Sequence, residues 1–267
     1  MSGQIIGMHE WLATPAGQYL LGWEQAQMNM AVADVFGFHA LQLGLPELDA
    51  LQANRMPHRW LASQTVTDLL LPGVVAGQRA ALVTDFAALP FPANSLDLVL
   101  LPHALELNPH PHGVLREVER VLVPEGRVII CGFNPVSLWG FRHRRARWYR
   151  QLGIDCQFFP PPGAFIGYLR LRSWLGQLNL EIEERHFGIY RPAWSSQAGL
   201  QRLGWLDGLG TRCWPLLGAA YFLVAVKRVR GMTLLNPAWK PARWLARAPV
   251  SIANSAGPTR AAGQNDI

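Results

Sequence analysis

The stretch Arg79–Pro135, RAALVTDFAALPFPANSLDLVLLPHALELNPHPHGVLREVERVLVPEGRVIICGFNP, constrains this chain more than any other. Ala80–Val83 is rich in strand-forming residues and gives way to Asp85. Ser95–Leu101 is almost wholly apolar, as a strand covered on both faces must be. Pro111–Val123 sets Val114, Leu115, Val118, Val121 and Leu122 at helical spacing, with Arg116, Glu117, Glu119 and Arg120 between them. Pro124-Glu125-Gly126 ends that helix, because Pro lacks a donor and Gly permits the turn. Arg127–Phe133 is then a third strand. Strand, strand, helix, strand with short connections predicts a parallel sheet in an α/β domain.

Four words in this stretch carry a resemblance. They are Asp85 with Leu89-Pro90-Phe91, Ser95 with Asp97-Leu98-Val99, the run Leu115–Gly126, and the apolar strand after it. In this order they resemble the type 11 group of class I S-adenosylmethionine (SAM)-dependent methyltransferases. Gly132–Gly140, GFNPVSLWG, is similar to a word in the bacterial YafS-like branch. The resemblance implies a doubly wound, mostly parallel, seven-stranded Rossmann-like sheet that binds SAM and transfers its methyl group. It implies that Asp85 accepts a hydrogen bond from the adenine amino group and that the Phe86 backbone reaches an adenine nitrogen. It also implies that the strand end Leu101-Pro102 passes beside the methyl-bearing sulfur. That makes His103 a candidate base or acceptor contact, since imidazole takes a proton near pH 7. The alternative for His103 is a bond to a loop carbonyl. The alternative for Asp85 is a turn cap.

The N-terminal third departs from that family. Pro15–Phe36 is expected to be a helix, with Tyr19, Leu20, Trp23, Ala26, Met30 and Ala33 on one face. Phe38–Leu43 is expected to be the first strand. The family carries an acid and three glycines after it; here stand Gln42 and the single Gly44, then Leu45-Pro46. Gly44 suits the turn. Gln42 is a candidate contact for the methionine amino group, weaker than a carboxylate. The alternative is a strand-ending turn that touches nothing. After a second strand, His58–Ala62, the family places an acid on the ribose; here Ser63 and Gln64 follow, with Asp68 further on. Asp97 reads as a turn or packing residue.

Asn134, on the loop after the third strand of the core stretch, is a candidate for orienting a nucleophile; the alternative is a sharp turn around a buried Trp139. His103, His110 and His112 lack the carboxylate or thiolate company of a metal site, so none is expected. Arg142, Arg144, Arg145 and Arg147, with Trp148 and Tyr149, suit RNA phosphate, anionic lipid or a solvated face.

Composition bounds the rest. The 267 residues suit one domain over 1–230, an acceptor cap from segments 138–163 and 192–214, and a Pro/Ala/Arg-rich tail over 231–267 expected to be disordered. A formal charge of +6 points to anionic partners. The three Cys form no disulfide or metal pattern, and the start has no signal-peptide h-region, so a cytoplasmic location is expected. The longest apolar run is too short to span a bilayer. Leu180–Phe187 and Ala219–Lys227 are expected to form an antiparallel edge. The leading reading is methyl transfer from SAM to a small or lipophilic acceptor. An RNA methyltransferase and a degenerate, non-catalytic binding module are the alternatives.

Overall fold

The computed structural model describes residues 8–69, 80–142, 144, 165–192 and 202–228. The apolar run of the core stretch becomes β4 (Leu96–Pro102), with every residue but Asp97 buried. It lies between β1 (His39–Leu43) and β5 (Leu122–Phe133) and pairs with both in parallel. A strand with neighbours on both sides and layers on both faces has no exposed row to keep polar, hence its uniform composition. β2 (His58–Ser63) and β3 (Ala80–Val83) continue the parallel sheet outward from β1. β6 (Leu180–Gly188) and β7 (Ala220–Lys227) close the other side, β7 running antiparallel to both β5 and β6. The order is β3-β2-β1-β4-β5-β7-β6. All eight residues of β7 are buried, whereas the edge strand β6 exposes most of its length. The antiparallel edge expected from the sequence is therefore present, and the two strands differ as an inner and an outer strand must.

The strand order reverses between β1 and β4. Outside the carboxyl ends of strands at such a switch point, an open α/β sheet leaves a crevice that the connecting loops do not fill.

Two apolar layers cover the sheet. On one face lie α1 (Met8–Leu12) and α2 (Pro15–Ala33), packed over Leu98, Leu100, Ile129, Cys131, Phe222 and Val224. The N-cap Thr14 accepts from the Gly17 N–H, and Pro15 fills the first helical turn. On the other face lie α4 (Ala104–Leu107), α5 (Pro111–Val121) and α6 (Tyr168–Gln177). The short α3 (Val66–Leu69) follows β2, and α7 (Trp205–Cys213) precedes β7.

Three expectations shift. The buried face of α2 is Ala16, Gly17, Leu20, Glu24, Met28 and Val32; Met30 is 63% exposed. The true stripe runs at four-residue steps through a glutamate, which an apolar pattern search passes over. α2 also stops at Ala33 rather than Phe36. α5 ends at Val121, and β5 begins at once, with the turn at Pro124-Glu125-Gly126 marked by Glu125 at φ 63°. Asp97 takes the packing role expected of it: its Oδ2 accepts from the Phe38 and His39 N–H groups at 2.8 and 2.9 Å, capping the start of β1. The tail, most of the 138–163 cap and part of the 192–214 cap lie outside the described residues.

Candidate functional site

Four strand ends meet at the crevice. β1 is followed by Gly44 at φ 76° and Leu45 at φ 46°, so the chain turns sharply where glycine is tolerated best. A side chain at Gly44 would lie 3.6 and 3.7 Å from the Phe86 ring and 3.8 Å from Ala104. The ends of β1, β3 and β4 therefore converge on one point. Phe86 is buried there, while Asp85 beside it is exposed. Asp85 Oδ1 accepts from the Ala87 N–H at 2.9 Å, the turn cap that the sequence also allowed. Leu101 and Pro102 are buried in the strand.

Gln42 is fully buried and its amide is committed to the loop. Nε2 donates to the carbonyls of Leu45 and Leu48 at 3.0 and 2.8 Å, and Oε1 accepts from the Ala50 N–H at 3.2 Å. The side chain shapes residues 44–50 rather than presenting an amide to a ligand, which corrects its candidacy as an amino-group contact.

At the end of β2, Ser63 Oγ donates to Asp68 Oδ2 at 2.7 Å. This brings a carboxylate to the place where the sequence alone shows only a serine. Burial raises the Asp68 carboxyl, but bonds from Ser63, Thr65 and His9 outweigh it and hold it below its ordinary value. His9 of α1 bridges this group: Nε2 lies 3.3 Å from Asp68 Oδ1, and Nδ1 bonds Glu47 Oε1 on the loop after β1. α1 is thereby pinned across the ends of β1 and β2. Neither His9 nor Glu47 stood out in the sequence.

His103 begins the loop after β4 at φ 53°, a strained conformation for a residue with a side chain. It is completely buried. Nε2 lies 2.7 Å from Glu24 Oε1 of α2, and Nδ1 lies 2.8 Å from Glu106 Oε2 of α4. Glu106 Oε1 accepts from the Phe133 N–H at 2.6 Å. Burial alone would drive the imidazole neutral, but the charge of Glu24 and the bonds to both carboxylates overcome it and raise its pKa to about 10. Burial raises the Glu106 carboxyl, partly offset by His103. Cys131 and Tyr221 nearby are pushed well up by burial and by neighbouring carboxylates. His103 is therefore neither a free base nor bonded to a loop carbonyl; it is the cation of a buried Glu–His–Glu triad. Glu24 Oε2 has no hydrogen-bond partner.

Asn134 is likewise structural, a correction to its candidacy for orienting a nucleophile. Its Nδ2 donates to the carbonyls of Leu216 and Gly218 at 2.8 and 3.0 Å, and its Oδ1 accepts from the Val136 N–H at 3.1 Å. It ties the loop after β5 to the segment before β7. Trp139 is buried there against Trp11, and its Nε1 donates to the Arg191 carbonyl at 2.7 Å. Arg144 is exposed and donates to the Pro135 carbonyl; Arg145 and Arg147 lie outside the described residues. Among the described residues, no three His, Cys, Asp or Glu side chains are grouped to hold a metal, and no helix is long and apolar enough to cross a membrane.

Residues 62–130 match the family described as a methyltransferase domain, of type 11. The seven-stranded mixed sheet with its helices matches solved structures of that kind over most of the chain. The chain has the fold of a class I methyltransferase. An S-adenosylmethionine-dependent methyltransferase from Mesorhizobium loti is 15% identical, with a TM-score of 0.54 over 77% of this chain and 99% of the other. A chain from the complex of the Haloferax volcanii Trm112 methyltransferase activator with a methyltransferase is 18% identical, with a TM-score of 0.56 over 85% and 99%. The cyclase SpnF is 14% identical, with a TM-score of 0.56 over 80% and 82%. At these identities the likeness shows the methyltransferase fold alone, and one fold hosts several chemistries. The uncharacterized protein YafS of Escherichia coli strain K12 is 27% identical over 234 residues, 87% of this chain and 86% of that protein.

Proposed function

We propose that the protein binds SAM at the β1–β4 switch point and transfers its methyl group to a small or lipophilic acceptor. The observation that carries this reading is the convergence at Gly44, where the β1 turn at positive φ comes within van der Waals reach of Phe86 and Ala104, so that the loops after β1, β3 and β4 meet at the switch point. The residues present fit an adenosyl sulfonium. Phe86 supplies an apolar surface, the exposed Asp85 a hydrogen-bond acceptor, and the Ser63–Asp68 pair the carboxylate for ribose hydroxyls. When bound, SAM supplies an electrophilic methyl group on a sulfonium. The chain's own part is positioning: the loop held by Gln42 sets the Gly44 turn, and α1 screens the site from water.

Exposed apolar residues support a lipophilic acceptor. Val136, Leu138 and Phe141 on one side and Trp214, Leu216 and Leu217 on the other are all more than a third exposed. Both groups lie at the ligand end of the sheet, after β5 and before β7, and Asn134 joins their backbones. Arg142 and Arg144 adjoin the first group, and the sequence from Arg142 to Arg150 contains five Arg and no acid. Interfacial lipid binding combines such aromatic and basic residues.

One observation favours the non-catalytic reading: Gln42, Glu47 and Asp68 already bond within the protein. Titration with S-adenosylhomocysteine (SAH) separates the two. Binding with a dissociation constant below about 1 mM supports the methyl-donor reading, and no heat at that concentration removes it. Sedimentation with phosphatidylglycerol vesicles tests the surface: binding should fall for R142Q/R144Q and with added salt, and binding to RNA but not to vesicles would replace lipid by nucleic acid.

A further inference from the structure

We propose that the orphaned oxygen of Glu24 receives the protonated amino group of the bound methyl donor, taking the place of the acid that the β1 turn lacks. This inference rests on the SAM-binding reading above.

The triad is one donor short, and burial works against its charge by pushing the Glu106 carboxyl up. Its three members, all buried, are two carboxylates and one imidazolium. Fully ionised, they leave one net negative charge out of water. Cys131 and Tyr221, held neutral by burial, add no further negative charge. Three of the four carboxylate oxygens have donors: His103 Nε2, His103 Nδ1 and the Phe133 N–H. The fourth, Glu24 Oε2, has none. An unpaired buried carboxylate oxygen is costly, and a cationic donor relieves both the missing bond and the excess charge. A hydroxyl would supply only the bond, and an anion would be repelled. Of the groups on SAM, the α-ammonium meets both needs, with N–H donors and a positive charge.

Position agrees. His103 directly follows β4, and Gly44 directly follows β1, the strand paired with it at the switch point. Gln42, at the place of the family's acid, has its amide spent on the loop. Glu24 reaches His103 from α2. The cover over this end is α1, whose Trp11 packs on Phe133, which in turn lies 4.3 Å from the His103 ring. His9 ties α1 to Glu47 and Asp68, all three partly exposed, while Met8, Trp11 and Leu12 bury the helix in the apolar layer.

The test is calorimetry on the full chain with SAH and with its deaminated analogue, in which hydrogen replaces the amino group. Wild type should bind SAH at least about tenfold more tightly than the analogue. Glu24→Gln keeps size and shape but loses the charge. It should bring the two affinities within about threefold by weakening SAH alone. Equal affinities in folded wild type overturn the inference and leave the methyl-donor reading standing. So does a Glu24→Gln protein that weakens both ligands equally or neither. A wild type that binds neither ligand overturns both. If Glu24→Gln does not fold, the wild-type ratio and the shorter Glu24→Asp decide by the same criteria.

Discussion

Two histidines at the ligand end of this sheet are each held between two carboxylates, and they do opposite work. His9 lies between Glu47 and Asp68, with side-chain exposures of 34, 19 and 29%. His103 lies between Glu24 and Glu106, with exposures of 0, 0 and 4%. Each is one imidazole between two carboxylates, but the surroundings differ. Around His9 water screens the charges and competes for the bonds, so the pairing is cheap to break, which suits a cover. Around His103 nothing competes. The charges act at low effective dielectric, and each depends on the others for its solvation. An imidazole between two carboxylates therefore makes a latch in one place and a fixed strut, short of one donor, in the other.

Removing the buried imidazole should do the most damage. His103→Ala leaves two carboxylates facing each other without a cation and should destabilise the fold by about 3–5 kcal/mol in denaturant titration. A loss below about 1 kcal/mol would mean that the triad is solvated like the His9 group, and the contrast would collapse.

A pH series sharpens the contrast. The folded pKa of His103 is raised to about 10, above its unfolded value. The folded state therefore holds more protons between the two values, and stability must fall as pH rises through that interval. The contribution of His103 is complete below about pH 6.5 and lost by about pH 10. Melting temperature should decline across pH 7–9 in wild type and much less in His103→Gln. Parallel slopes would assign the decline to other groups, such as Tyr221 and Cys131 at the alkaline end.

The smallest effect belongs to the exposed histidine. His9→Ala should cost no more than about 1 kcal/mol of stability. It should also speed exchange of the backbone amides of α1 without altering those of β4 and β5. Protection lost equally in all three would show that α1 opens only together with the sheet.

The central sheet was legible because its strands announce themselves locally. Leu96–Pro102 needs no partner's identity to read as buried on both faces, and the residues of β7 read the same way. The motif words around Asp85 and Leu115–Gly126 added the family. The triad was not legible in the same way. His103 stood out, but its partners are 79 residues before it and three after it. The one available sign was Glu24 at the middle of the Leu20–Met28–Val32 row, where a solvated glutamate does not belong. Likewise Ser63 reads as a missing acid until the chain brings Asp68 to it.

The residue order by itself determined which segments are strands and which turn, because periodicity and the conformational limits of Pro and Gly act over a few neighbouring residues. It thereby determined the parallel α/β class and the antiparallel edge. Only the tertiary structure decided what the polar residues of the site are for. Whether a carboxylate serves as a ligand, a cap or half of a buried ion pair depends on which groups from distant segments replace its water. Asn134 became a tether, Gln42 a loop brace and His103 a buried cation for that reason. Glu24, without any motif to mark it, acquired the one unpartnered oxygen of the Glu–His–Glu triad.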